Sequence, residues 1–143
     1  MTHDLREVLA FYSRHPISKR QIIASLEASR GSLAGLRPED LYAYDQDHYG
    51  GTHVVDILAA KAAIGPDSLV VDFCAGLGGP ARYIAQRYGA RVICIEINPD
   101  RAQGAADLTR RVGLADRVSV LRGDVMRTPL GSSMADAVIS QEA

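Results

Sequence analysis

Val70-Val71-Asp72-Phe73-Cys74-Ala75-Gly76-Leu77-Gly78-Gly79-Pro80 decides the fold, with Glu96 closing the next apolar run. The order reads as a buried strand, a glycine-rich turn, a helix, a second strand and a terminal carboxylate. A nucleotide-shaped cofactor needs that order. Glycines let the backbone come close to a ligand, Pro80 can open the helix, and an acid ending the second strand can accept from both ribose hydroxyls. Gly76, Gly78 and Ala81 satisfy G-x-G-x-x-G/A, so a dinucleotide site is the first competitor. Asp72 argues against it. At the carboxyl end of a parallel strand this carboxylate would repel a pyrophosphate, whereas it would attract a ligand carrying an ammonium and a sulfonium.

Asp-Phe-Cys-Ala-Gly-Leu-Gly-Gly resembles the D-x-G-x-G-x-G motif of class I S-adenosylmethionine-dependent methyltransferases. Cys74 stands where the first glycine of the triplet usually stands, a departure tolerated by a small residue if φ stays negative. Further motifs follow in the family's order. Glu96 matches the acid at the end of strand two, Gly123-Asp124-Val125 the G-D-(A/V) segment, and Asp136-Ala137-Val138-Ile139-Ser140 the fourth strand. Upstream, Tyr44-Asp45-Gln46-Asp47-His48-Tyr49-Gly50-Gly51 is similar to the segment before the core in small-molecule methyltransferases of the ubiquinone-biosynthesis and sarcosine/dimethylglycine type. The resemblance runs from about Tyr44 to the end of the chain.

The resemblance implies S-adenosylmethionine as cofactor and assigns roles. Asp72 sits near the methionyl ammonium, Glu96 holds the ribose hydroxyls, and Asp124 accepts from the adenine amine. Cys74, Ala75 and Gly76 supply backbone groups, Ile97 and Val125 apolar contacts to the adenine, and Gly78 and Gln141 complete the cofactor-binding set. Three carboxylates meeting at neighbouring strand ends would otherwise be destabilising, so a purely structural explanation fits the set poorly.

Methyl transfer is a displacement at an already activated carbon, so the protein supplies positioning and, where the acceptor loses a proton, a base. His48 and Tyr49 are the candidates upstream, because Gly50-Gly51 would let that segment fold over the cofactor. Glu142, following strand four where the acceptor lies in the family, is the other possible base. A His and a Tyr before a helix also read as packing residues. His3, His15 and His53 show no partner and read as solvated.

At 143 residues the length suits one domain, and 47% hydrophobic content suits a proper core. A formal net charge of −1 argues against nucleic acid as the main partner. Arg110, Arg111, Arg117, Arg122 and Arg127 read as a solvated helix face and strand ends. Cys74 and Cys94 fall in predicted strands without a C-x-x-C, so buried reduced thiols are expected and a metal site is not. The amino terminus lacks the pattern of a signal peptide and no apolar run approaches a membrane span, which points to the cytoplasm. The chain stops after the fourth strand, so the resemblance implies that the carboxy-terminal half of the sheet is missing. A parallel sheet left uncovered in this way is expected to self-associate.

Leu5, Val8, Leu9 and Tyr12 give a first amphipathic helix, broken at His15-Pro16. Ser18 and Gln21 form a capping box that opens a second helix at Lys19, stapled by Ile17 and Ile22 and ended near Arg30 by Gly31. Residues 32–38 form a loop, and Pro38-Glu39-Asp40 opens a short helical turn. Thr52 caps a further helix with Val54, Val55, Leu58 and Ile64 inward. Strands are then predicted over 69–73, 92–97, 118–121 and 135–140, with helices over 80–88 and 99–112. The fold class is α/β, a Rossmann-like doubly wound parallel sheet over residues 52–143, preceded by a helical cover segment over 1–51. The function expected is an S-adenosylmethionine-dependent methyltransferase acting on a small-molecule acceptor at nitrogen, oxygen or carbon. A non-catalytic cofactor-binding fragment and an NAD-dependent oxidoreductase are the alternatives. Binding of S-adenosylhomocysteine against NAD separates them, followed by methyl transfer.

Overall fold

The computed structural model describes residues 4–142. Four helices come first: α1 (Leu5–Ser13), α2 (Lys19–Arg30), α3 (Pro38–Leu41) and α4 (Gly51–Lys61). Strands and helices then alternate: β1 (Leu69–Phe73), α5 (Gly79–Tyr88), β2 (Arg91–Glu96), α6 (Pro99–Arg111), β3 (Val118–Arg122), a 3-10 turn (Val125–Arg127) and β4 (Ala137–Ser140). The caps follow side-chain chemistry. Ser18 accepts from the Gln21 N–H at 3.3 Å, Gly31 closes α2 at φ 73°, and the Asn98 side chain accepts from the N–H groups of Asp100 and Arg101. The α4 cap differs from expectation. Gly50, at φ 82°, is the cap, and Thr52 lies inside the first turn. A Cβ at Gly50 would meet Val54 Cγ2 at 2.2 Å, so only glycine lets the chain enter there.

All four strands are parallel, in the order β3-β2-β1-β4. The two crossovers β1-α5-β2 and β2-α6-β3 step the same way across the sheet, so right-handedness puts α5 and α6 on one face. That face carries Val70, Val92, Cys94, Val118 and Ile139, joined into one core with Ala81, Ile84 and Leu108 of the covering helices and Val55 of α4. The core also takes in Ile22, Leu26 and Leu41 from the amino-terminal helices. Alternation puts Leu69, Val71, Phe73, Ile93, Ile95, Leu121 and Val138 on the opposite face. Leu69, Phe73, Ile93 and Leu121 there are half-buried, and Val138 is 56% exposed.

Two expectations about cysteine are corrected. Cys74 is neither in a strand nor buried; it is an exposed residue of the turn, and its φ is +57°. The conformation is the left-handed one that glycine adopts without cost, so the side chain is carried at a glycine position under strain. Cys94 is buried in β2.

Candidate functional site

The strand order reverses between β1 and β4, and a crevice opens outside the carboxyl ends of strands at such a switch point. A pocket of about 430 Å³ lies there, and its walls include Asp72, Glu96, Asp124, His48, Gln141 and Glu142. Cys74, Ala75, Gly76, Ile97 and Val125 also line it, so residues far apart in sequence meet at one sheet edge. Gly78 stands just behind the wall as the left-handed cap of α5, at φ 75°.

Asp72 is 3% exposed, and its Oδ2 is a buried oxygen without a hydrogen-bond partner. Burial, reinforced by the neighbouring Glu96 carboxylate, pushes its pKa up from 3.8 to about 7. Glu96 is anchored differently. Its Oε2 accepts from the Gly76 N–H at 2.8 Å and its Oε1 from the Asn98 N–H at 2.8 Å. Each carboxylate oxygen keeps a second lone pair for a ligand. The N–H groups of Ala75 and Gly76 are committed, since Ala75 donates to Ile95 O at 3.1 Å and Gly76 to Glu96. What Ala75 and Gly76 still offer a ligand is therefore carbonyl oxygen and close approach, not N–H. Asp124 is exposed, and its Oδ1 caps the 3-10 turn by accepting from Met126 N–H at 2.9 Å.

The segment carrying residues 44–51 closes one side. His48 faces the pocket, whereas Tyr49 is 87% exposed and outside its walls. Gln141 brings its Nε2 to within 3.4 Å of His48 Nδ1, while its Oε1 is a second buried oxygen without a partner. Glu142 Oε1 accepts from Tyr49 N–H at 3.0 Å, which ties the end of β4 to this segment.

Several participants were not legible in the sequence. Two ion pairs hold the 44–51 segment to the core: Arg82 with Asp45, both side chains fully buried, and Arg101 with Asp47. His15, expected to be solvated, instead lines the pocket with its Nε2 3.5 Å from Asp47 Oδ1. His53 is exposed, and His3 lies outside the described residues. Helix α1 forms a roof, with Val8, Phe11 and Tyr12 over the pocket. It is tethered by Asn98 Nδ2, which donates to Leu9 O at 3.4 Å and Ser13 Oγ at 3.2 Å. Asn98 and Asp45 were readable as polar residues, but nothing local marked them as buried anchors.

Two acceptor atoms without donors, Asp72 Oδ2 and Gln141 Oε1, border the same cavity. That acceptor pair fits a ligand presenting a cationic N–H group, which would hold Asp72 ionised. It fits a pyrophosphate badly, since an ionised Asp72 repels it and the Gln141 amide oxygen has no proton to give.

The family described as "Methyltransferase domain" matches residues 70–143. The chain belongs to this methyltransferase domain family. Among curated relatives, a glycine/sarcosine/dimethylglycine N-methyltransferase from Actinopolyspora halophila is 34% identical over 89 residues, 62% of this chain and 16% of the relative. A sterol 24-C-methyltransferase from Eremothecium gossypii is 37% identical over 86 residues, 60% of this chain and 23% of the relative. Among solved structures, an RNA methyltransferase from Salinibacter ruber in complex with S-adenosyl-L-homocysteine superposes with a TM-score of 0.58 at 30% identity, covering 62% of this chain and 56% of that one. The matched stretch thus spans less than a quarter of those two curated relatives. The family match begins at Val70, the second residue of β1, and includes the glycine turn and all that follows, whereas α1 to α4 lie outside it. No helix among the described residues is long and apolar enough to cross a membrane.

Proposed function

We propose that this chain is the cofactor-binding part of an S-adenosylmethionine-dependent methyltransferase acting on a small-molecule acceptor at nitrogen, oxygen or carbon. The observation that carries the reading is the pair of orphaned acceptors, Asp72 Oδ2 and Gln141 Oε1, on one cavity at the switch point. Both suit an ammonium, which carries three donors and no acceptor. When bound, the cofactor supplies a methyl group activated by its sulfonium. The chain's own residues bind and orient it: Asp72 and Gln141 at the ammonium, Glu96 at the ribose hydroxyls, Asp124 at the adenine amine, Ile97 and Val125 against the ring. Cys74, Ala75, Gly76 and Gly78 shape the close approach of the backbone. His48 and Glu142 are the groups placed to take a proton from an acceptor. Helix α1 lays Val8, Phe11 and Tyr12 along this space. A small acceptor is favoured by the formal net charge of −1 and by the names of the two curated relatives. Self-association through the half-open sheet face belongs to the same proposal.

Calorimetric titration with S-adenosylhomocysteine and with NAD tests the cofactor. Tighter binding of NAD would overturn the reading. Glu96→Ala is expected to weaken S-adenosylhomocysteine binding by roughly 1.5–3 kcal/mol, the scale of hydrogen bonds to a charged group. An unchanged dissociation constant in a folded variant removes Glu96 from the site. The half-open sheet face favours one second reading, cofactor binding without turnover, and radiolabelled methyl transfer to a panel of amines, phenols and quinone precursors decides between the two.

A further inference from the structure

Four side chains run in file from the core to the cavity: Arg82, Asp45, Gln46 and His48. Arg82 donates from Nε and Nη2 to Asp45 Oδ2 at 3.3 and 3.0 Å, and from Nη1 to Ala105 O and Thr109 Oγ1. A guanidinium does not lose its proton, and a neutral partner would leave it buried and uncompensated. Burial pushes the Asp45 pKa up while Arg82 opposes the shift, and the pair stands as guanidinium and carboxylate. A carboxylate only accepts. The Gln46 amide therefore turns its Nε2 to Asp45 Oδ1, at 2.8 Å, and its Oε1 the other way, 3.1 Å from His48 Nε2. Flipping this amide would set two oxygens against each other at the buried pair.

We propose that Gln46 and Asp45 are positioning residues that hold neutral His48 as the Nε2–H tautomer, leaving Nδ1 as the proton-accepting atom of the cavity. The proposal rests on the methyltransferase reading for its purpose, though not for its geometry. Both ring nitrogens have a carbonyl in reach, Nε2 the Gln46 Oε1 at 3.1 Å and Nδ1 the Tyr49 O at 3.0 Å. A neutral ring can donate to only one of them, and the amide donor that faces only Nδ1 puts the proton on Nε2. Nδ1 faces the Gln141 Nε2 donor at 3.4 Å, which suits a lone pair, and the Tyr49 carbonyl at 3.0 Å, which suits a proton. The two contacts serve the two halves of a cycle. As an acceptor N–H or O–H reacts, its electron pair forms the new bond to the methyl carbon and the carbon–sulfur pair stays on sulfur. The acceptor's proton passes to Nδ1, where Tyr49 O is already in place to accept from the new N–H. Both protons of the imidazolium then have acceptors. All three polar contacts of the ring are with amides. The carboxylates of its own segment and of the β4 end are engaged elsewhere: Asp45 on Arg82 and Gln46, Asp47 on Arg101, and Glu142 on the Tyr49 N–H. Asp72, Glu96 and Asp124 line the same cavity without a hydrogen bond to the ring.

Nitrogen-15 NMR of the 143-residue chain at a pH where the ring is neutral tests this directly. The chain has four histidines, and loss of one set of ring signals in His48→Gln assigns the right one. Expected are an unprotonated Nδ1 and a slowly exchanging proton on Nε2. In Gln46→Leu that protection is lost and the ring shifts move toward a tautomer average. S-adenosylhomocysteine affinity in the same variant stays within twofold, because Gln46 is not among the cavity walls. A protonated Nδ1 in the native chain, or an Nε2 proton equally protected in Gln46→Leu, overturns the proposal. A tenfold loss of affinity in Gln46→Leu would assign Gln46 to the cofactor platform instead and also overturn it. If Gln46→Leu does not fold, the native spectrum alone decides. Failure of the native chain to bind S-adenosylhomocysteine would sink the cofactor reading and leave the tautomer result standing.

Discussion

Replacing Asp72 by Asn removes a buried carboxyl whose pKa is pushed from 3.8 to about 7, by burial first and by Glu96 second. The sign follows from proton binding. With the folded pKa above the unfolded one, the native state holds more protons between the two values, so the contribution of Asp72 to stability is greatest below about pH 4 and is lost as pH rises through 7. The full difference corresponds to about 4 kcal/mol by pH 8, at 1.36 kcal/mol for each pKa unit. Asn lacks this proton and therefore lacks the loss. Groups that do not interact with Asp72 cancel in the comparison, and the coupling to Glu96 is already contained in the Asp72 shift. Urea denaturation of the native chain and Asp72→Asn at pH 4, 6 and 8 should show the variant gaining on the native chain by about 4 kcal/mol across that range, by the same linkage. Any constant cost of burying the new amide shifts all three points equally. Ligand binding should move the other way. Loss of the carboxylate removes the partner of the ammonium, weakening S-adenosylhomocysteine by roughly 1.5–3 kcal/mol at pH 8. Binding below pH 7 by the native chain should release a proton, visible as a buffer dependence of the calorimetric heat. A stability difference that is the same at pH 4 and pH 8 would refute the reasoning, because it would mean Asp72 is not desolvated.

Cys74→Gly relieves a left-handed residue at φ +57°, worth about 1–2 kcal/mol, against the greater chain entropy of glycine, about 0.5–1 kcal/mol. A higher melting temperature for Cys74→Gly than for Cys74→Ala is expected, and equal values would contradict it. Gly79→Ala puts a Cβ 2.0 Å from the Asp45 carbonyl, so the 44–51 segment must move and the Arg82–Asp45 pair with it. The cost is about 3–5 kcal/mol, the range for breaking a buried pair, read by denaturant midpoint; a native-like midpoint would show that the segment is not clamped there. The sheet face carrying Phe73, Ile93, Leu121 and Val138 predicts self-association, and sedimentation should show Val138→Lys shifted toward monomer. A native chain that sediments as a monomer at all concentrations would contradict this.

The elements were legible because their signals are local. An unalternating apolar run, a glycine turn and a proline within the first helical turn mark β1 to α5 without reference to the rest of the chain, and the strand they predict over Leu69–Phe73 is the strand observed. Other ends shifted by a residue or two, as with β2 running Arg91–Glu96 and β4 starting at Ala137. Position at a strand end also made Asp72, Glu96 and Asp124 candidates, since parallel topology brings strand ends to one edge. What tertiary structure alone decided concerns partners and backbone conformation. The expectation of negative φ at Cys74 fails, since the chain leaves β1 through a left-handed residue at φ +57°; separately, Asn98 and Gly76 claim one lone pair from each oxygen of Glu96. Thr52 has good capping chemistry, yet the chain enters α4 through Gly50 because Val54 lies too close for any side chain there. Arg82 and Asp45 are 37 residues apart, His48 and Gln141 93 apart, and no periodicity links either pair. Secondary structure is written in spacing along the chain. Burial, orphaned acceptors and the tautomer of a ring are set by which distant groups packing brings within hydrogen-bond reach.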